Sequence, residues 1–385
     1  MPWREVGKVE LRRVFIERII SGAMNMSEAC AEFGISRQCG YKWLRRWQEG
    51  GEGSLEDRSR RPHRVHNGLP PELVNAVITE RLRHPYWGAR KIGKRLEMAG
   101  VTPPSERTIN RILKRHGFIR PRVSGTSPPQ RFARKNPNSM WQMDHKSSVQ
   151  GKWRSRSVPF LLLDDASRYL VGLWSLPDKS ISSTWPCLWE AFEVFGLPDS
   201  ILSDNDMIFA GRNGPSWIES RLMRLDIDVI HGRPYHPQTQ GKVERLNGTL
   251  ERELLRDSTF EDSGDLQRGF DDFRQRYNFE RPHEALGLDV PGAHYAPSKR
   301  KRPRAVPEIS YHPGALLRKV DSTGRISFKN FKVEVGQGIS GEYVEIRDGQ
   351  DCLDVFYGSY RVLGFNLGED RVRRFRQYRK VPGGR

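Results

Sequence analysis

Apolar residues recur at helical spacing through the first part of the chain and give way, near residue 140, to short apolar runs that end in turns. Leu11, Val14, Phe15 and Ile19 fall on one face of a first helix. Ser27 is placed to cap a short second helix that Gly34 ends, and Ser36 to cap a third. In the third helix Gly40, Trp43, Leu44 and Trp47 share one face, while Gln38, Tyr41, Lys42 and Arg45, with Arg37 at the start, form a polar and basic face opposite. Helix, turn and helix with such an outward face read as a helix-turn-helix unit whose last helix enters a major groove. A helical hairpin with a solvated charged face is the competing reading.

The basic, glycine-rich stretch GGEGSLEDRSRRPHR separates this block from a second one of the same architecture. Pro71 suits the first turn of a helix carrying Leu73, Val74 and Val77; Ala89, Ile92 and Leu96 mark the next, ended by Gly100. Ser105 can cap a third helix with Ile109, Ile112 and Leu113 inward and Arg107, Asn110, Arg111 and Lys114 outward. That outer face offers guanidinium forks and an amide to phosphates and base edges. The Pro, Ser and Arg content of the next stretch marks an extended linker.

WQMDHK, VPFLLLDD and YLVGLWSL then read as three successive strands, followed by a helix across 182–195, a short strand SILSD, a helix near 216–225 and a strand at 228–231. A loop, PYHPQTQG, leads into a long helix striped by Val243, Leu246, Leu250 and Leu254, and a further helix covers 266–279. Such an order implies a mixed sheet covered by helices. SKRKRPR reads as a linker or a phosphate-binding stripe, and the short strands from ALLRKV to YRVLGF as a small closed antiparallel barrel. The tail RVRRFRQYRKVPGGR is expected to stay disordered until it meets DNA.

The expected organisation is therefore a helix-turn-helix domain at 1–55, a second at 68–120, a basic linker at 121–138, an α/β catalytic core at 139–296, a second linker at 297–310, a small β-barrel at 311–366 and a basic tail at 367–385. A chain of 385 residues has room for several cores. Its net charge of +18 and pI near 10.0 point to a polyanionic partner. A hydrophobic fraction of 36% and apolar runs too short to span a bilayer disfavour a membrane role. No apolar stretch follows the charged N-terminus, so no secretory signal and a cytoplasmic location are expected. Cys30, Cys39, Cys187 and Cys352 form no CxxC pair and read as core filler rather than zinc ligands.

Three acids stand apart: Asp144 near the end of the first strand, Asp204 after a later strand, and Glu244 at the opening of the long helix. Strand ends converge on one edge of a sheet, and hard divalent cations take oxygen ligands while keeping positions for water and phosphate. WQMDHK, LPDSILSDND, PYHPQTQGKVERLNGTL and NFERPHEALG, in this order, resemble the catalytic core of insertion-sequence transposases in the retroviral-integrase superfamily. The resemblance extends to ISRQCGYKWL, HPYWGARKI and the terminal β-module. It implies a ribonuclease H-like core in which Asp144, Asp204 and Glu244 are catalytic residues holding Mg²⁺, with Mn²⁺ as a substitute. It also implies binding of double-stranded DNA at element ends and target, assembly as a homodimer or larger oligomer, and association with the bacterial nucleoid when DNA-bound.

Lys242 and Arg245 flank the glutamate and can meet phosphate, while Asn247, one turn on, can contact DNA or hold the glutamate. For the rival acids Asp164 and Asp165, hydrogen bonding at a strand end is the preferred reading, and Glu251 lies two turns beyond Glu244. His231 and His236 orient DNA or cap turns, and both roles stay open. Asp206 stands where the family usually carries glycine. The reading is a transposase that cuts DNA and transfers strands. The alternatives are a DNA-binding regulator with an inactive nuclease fold and a structure-specific nuclease.

Overall fold

The computed structural model describes residues 7–57, 69–119, 134–150, 156–204, 206, 208–232, 241–329, 331–349, 352–366, 372–374, 377–378 and 380–381. The chain divides into two compact units, 1–69 and 70–385.

In the first unit, α1 (Lys8–Ile20), α2 (Met26–Glu32) and α3 (Arg37–Gly50) enclose Phe15, Ile16, Ala29, Cys30 and Trp43, with Leu55 from a following 3-10 turn closing the core. The cap of α2 is Asn25 instead of Ser27: its side chain accepts from Glu28 N while Glu28 returns a bond to Asn25 N, closing two free donors at once. Ser36 caps α3 as its position requires. Gly34, at φ +63°, turns the chain between the two helices in a conformation that costs other residues more.

The second unit opens with α4 (Pro71–Arg83), α5 (Ala89–Met98) and α6 (Glu106–Arg115), packed around Val77, Trp87, Ile92, Leu96, Ile109, Ile112 and Leu113. Ser105 caps α6 through Thr108 N.

A mixed sheet follows. Its strands are β1 (Trp141–His145), β2 (Val149–Gln150), β3 (Arg156–Asp164) and β4 (Leu170–Leu176), then β5 (Ser200–Ser203) after α7 (Ile181–Phe195), and β6 (Asp228–His231) after α8 (Trp217–Arg224). β3 lies antiparallel between β1 and β4, whereas β5 and β6 run parallel to β1 because the helices α7 and α8 carry the chain back. This is a ribonuclease H-like arrangement. Both faces of β3 are covered, which explains its unbroken apolar run. Phe160 and Leu162 face Leu188 and Phe192 of α7 and Ile218 and Leu222 of α8. Leu161 and Leu163 face Val243, Leu246 and Leu250 of α9 (Gly241–Leu250) and Phe270 and Phe273 of α10 (Ser263–Phe279). Each fully buried Leu or Phe contributes about 1.5–3 kcal/mol. A π-helical turn, Glu251–Leu255, extends α9.

The terminal module departs from the expected barrel. β7 (Leu317–Lys319), β10 (Tyr343–Asp348), β11 (Leu353–Tyr357), β12 (Tyr360–Phe365) and β13 (Val372–Arg374) form an open antiparallel sheet with β7 and β13 at its edges, and β8 (Arg325–Phe328) with β9 (Phe331–Glu334) is a separate hairpin. Closure is unnecessary because the apolar face has another partner: Val335, Ile339, Val344 and Ile346 share one core with Ile218 and Leu222 of α8. The approach is so close that a Cβ on Gly338 would fall 2.2 Å from the backbone of Ser216.

The two basic segments also differ from expectation. In SKRKRPR, Arg300 donates to the carbonyls of Pro198 (2.7 Å), Leu225 (3.1 Å) and Asp226 (2.6 Å), and Arg302 pairs with Glu193 and covers Trp189. These guanidiniums clamp the core, leaving Lys299, Lys301 and Arg304 exposed. Part of the tail is ordered strand: β13 extends the terminal sheet and β14 (Gln377–Tyr378) pairs with β6, covering that edge of the core sheet. Among the described residues, no helix is long and apolar enough to cross a membrane.

Candidate active site

β1 and β5 are parallel neighbours with Trp141 opposite Ile201 and Gln142 opposite Leu202. Extending that offset sets Asp144 beside Asp204 at the carboxyl end of the pair. Both carboxyls are partly buried, and burial pushes both above the usual carboxylate range; the negative charge of Asp204 adds to the effect at Asp144. Asn247 Nδ2 donates to Asp144 Oδ2 at 2.8 Å, and the amide's own Oδ1 is buried without a partner. Asn247 therefore holds Asp144, not Glu244. Glu244 lies one turn earlier on the same helix, exposed to solvent. Among the described residues, no three His, Cys, Asp or Glu side chains gather closely enough to enclose a metal ion. The segment 233–240, which leads into α9 and contains His236, lies outside the described residues.

Two groups at this edge carried no sequence signal. Lys179, in the turn between β4 and α7, donates to Asp206 Oδ2 at 3.2 Å. Burial alone would raise the Asp206 carboxyl, but the bond to Lys179 and its charge hold it below the usual range. The Asp206 amide in turn donates to Asp204 Oδ1 at 3.1 Å, so the turn braces one carboxylate of the pair. His145 stacks on Phe209, bonds Thr184 Oγ1 through Nε2 at 3.1 Å, and is pushed down to about 4 by burial, which keeps it neutral near pH 7. Only the three-dimensional fold brings these groups together, since they come from four separate segments.

The rival acids are spoken for. Asp164 accepts from Asn138 N (2.7 Å), Ser167 N (2.8 Å) and Ser167 Oγ (2.6 Å). Asp165 accepts from Arg134 N (2.7 Å) and Gln142 Nε2 (2.7 Å) and pairs with Lys242, so the Lys242 ammonium is engaged inside the protein and not held out to phosphate. Glu251 pairs with Lys146 at 2.9 Å. His231 uses both ring nitrogens, on Glu219 (2.6 Å) and Ser203 (3.1 Å), and thereby fastens α8 to the end of β5.

On α3, Arg37, Gln38, Tyr41, Lys42 and Arg45 are all exposed; so are Arg107, Asn110, Arg111 and Lys114 on α6, and Arg245 on α9.

Tandem helical units ahead of a ribonuclease H-like sheet with paired acids at one edge define the class: an integrase core behind helix-turn-helix domains. Models described as Integrase core domain match residues 134–237 and 225–291, a Helix-turn-helix domain matches 11–63, and a Homeodomain-like domain matches 39–113. The y4bF protein of Sinorhizobium fredii (strain NBRC 101917 / NGR234), which carries a transposase name, is 25% identical over 368 residues, 90% of this chain and 77% of its own. An uncharacterized 39.2 kDa protein of insertion element IS476 from Xanthomonas euvesicatoria is 27% identical over 46% of this chain and 49% of its own. A third, from insertion element IS407 of Burkholderia multivorans (strain ATCC 17616 / 249), is 24% identical over 59% of this chain and 83% of its own. Integrase core domains thus span 134–291 behind the helix-turn-helix domains, and together with the relatives from insertion elements they support a transposase of the integrase superfamily. A magnesium complex of the HTLV-2 integrase catalytic core superposes with a TM-score of 0.33 at 17% identity, covering 41% of this chain and 97% of its own.

Proposed function

We propose that this chain is a DNA transposase that binds the terminal inverted repeats of a mobile element, cuts a phosphodiester there and joins the released 3′-OH to target DNA. The observation that carries the reading is the pair Asp144 and Asp204 at the carboxyl ends of adjacent parallel strands inside a matched integrase core. Their donor set fits a divalent cation: hard oxygens, two like charges crowded together, and a buried amide oxygen of Asn247 still without a partner. Glu244, one turn from Asn247, supplies the third carboxylate. Asp144, Asp204 and Glu244 would hold magnesium, which would supply activation of the attacking hydroxyl and charge neutralisation at the leaving oxygen. The protein's share is to orient: Asn247 fixes Asp144, the Asp206 amide fixes Asp204, and neutral His145 packs behind the pair. The outer faces of α3 and α6 read the ends, and the exposed basic residues add sequence-independent phosphate contacts. Cutting two ends together calls for a dimer or larger assembly.

The second reading, a DNA-binding regulator, draws on the exposed position of Glu244 apart from a closed three-acid cluster. One experiment separates them. The full chain is incubated with Mg²⁺ or Mn²⁺ and a duplex carrying the DNA that flanks its reading frame. Nicking at a repeat boundary and strand joining establish the transposase; sequence-specific binding without either establishes the regulator.

A further inference from the structure

Lys179 is a half-exposed cation at the rim of the acidic site, with 46% of its side chain accessible, and its partner Asp206 is 29% accessible. An ion pair this open is weak, worth little against solvent and salt. It nonetheless holds a positive charge within electrostatic reach of both Asp144 and Asp204. A site that must receive a phosphodiester between two carboxylates faces charge repulsion on the incoming strand. Lys179 is placed to offset it, because its charge reaches both carboxylates, whereas Lys242 is engaged by Asp165 and Lys146 by Glu251.

We infer that Lys179 binds a backbone phosphate of the DNA strand entering the site, and that Asp206 occupies Lys179 until the strand arrives. The inference rests on the proposed function, because it takes the incoming polyanion to be the DNA that the site cuts. The exchange is of one weak anion partner for another: Lys179 leaves the Asp206 carboxylate and donates to a phosphate oxygen, with no covalent change. Asp206 is then a competitor that lowers DNA affinity, while its backbone amide keeps its bond to Asp204.

A merely structural pair makes a different forecast. If the Lys179–Asp206 contact only braced the turn, removing either partner would loosen it in the same way. Competition demands opposite signs. The test measures binding of the full chain to a fluorescein-labelled 30-base-pair duplex of generic sequence, in EDTA, across a salt series, with thermal melting to confirm folding. Lys179→Gln should weaken binding roughly five- to tenfold and lower the slope of log affinity against log salt by about one. Asp206→Asn should tighten binding roughly two- to fivefold, and should have no effect when Lys179→Gln is already present. Equal-sign effects, or an unchanged salt slope in Lys179→Gln, overturn the inference. Mg²⁺-dependent cutting by the wild-type chain is followed in parallel: its presence with an unchanged Lys179→Gln slope sinks the inference alone, whereas a wild type that neither binds nor cuts DNA sinks the proposed function with it.

Discussion

Two pairs of aspartates stand on neighbouring strands of the core sheet, and the protein treats them in opposite ways. Asp164 and Asp165, at the end of β3, are completely buried and take up five hydrogen bonds from backbone and side-chain donors, together with the ammonium of Lys242. Asp144 and Asp204 are more accessible, the charge of one raises the other, and their donors are the side-chain amide of Asn247 and the backbone amides of His145 and Asp206. The first pair is finished by the fold itself and ties the segment around Arg134–Asn138 and helix α9 to the sheet. Among the described residues the second has no cation in contact with it, Lys179 acting only from the rim through its pair with Asp206. A buried acid that the protein satisfies is structural; one that it leaves uncompensated and braces from the side is arranged for something that comes from outside.

The comparison can be broken by exchanging charge for shape at each pair. Asp144→Asn or Asp204→Asn keeps size and removes the charge that a hard cation needs, so metal-dependent DNA cutting should fall by about a thousandfold or more while the melting temperature holds or rises. Gel assays of cutting beside calorimetry of the same samples check both halves. Asp165→Asn should do the reverse. It leaves the part-buried Lys242 ammonium with only the Asp165 backbone carbonyl as acceptor, at a cost of about 1–3 kcal/mol read from urea unfolding, and any loss of cutting should follow loss of folded protein.

A smaller change sharpens the contrast. Asn247→Ala frees Asp144 without altering charge, so Mn²⁺ affinity should drop about 10- to 100-fold with little change in stability. Acid separates the two regions further. Burial, with the charges of Arg281, Arg168 and Lys91, pushes His283 down to about 3 on the side of the satisfied pair, and its Nδ1 accepts from Ala285 N. The unfolded chain takes up a proton near pH 6.5 that the folded one refuses, so this stability is present above pH 6.5 and is lost as the pH falls toward 3. His283→Asn should flatten the pH dependence of stability by about 1.4 kcal/mol per pH unit within that window.

Much of the core was legible because burial writes a period into the chain. The run from Val158 to Asp165 announces a strand covered on both faces, and Val243, Leu246 and Leu250 announce the stripe of α9. Ser36 and Ser105 cap where their spacing places them, whereas Asn25 displaces Ser27 because it can close a capping box with Glu28. Long-range polar pairs leave no such period. Nothing near Lys179 in the chain points to Asp206, and nothing near Asn247 points to Asp144 rather than Glu244. The basic runs misled for a related reason: charge composition reports solvation on average, but Arg300 and Arg302 have specific acceptors in the core. The terminal strands alternate as barrel strands do, and only the apolar surface of α8 shows why they stay open.

The central claim is that Asp144 and Asp204 are left uncompensated in order to take a divalent cation. Electron paramagnetic resonance of Mn²⁺ titrated into the full chain with duplex DNA bound tests it most directly. The wild type should immobilise Mn²⁺, and both Asp144→Asn and Asp204→Asn should release it while still binding the DNA. Undiminished Mn²⁺ binding in both variants would contradict the account.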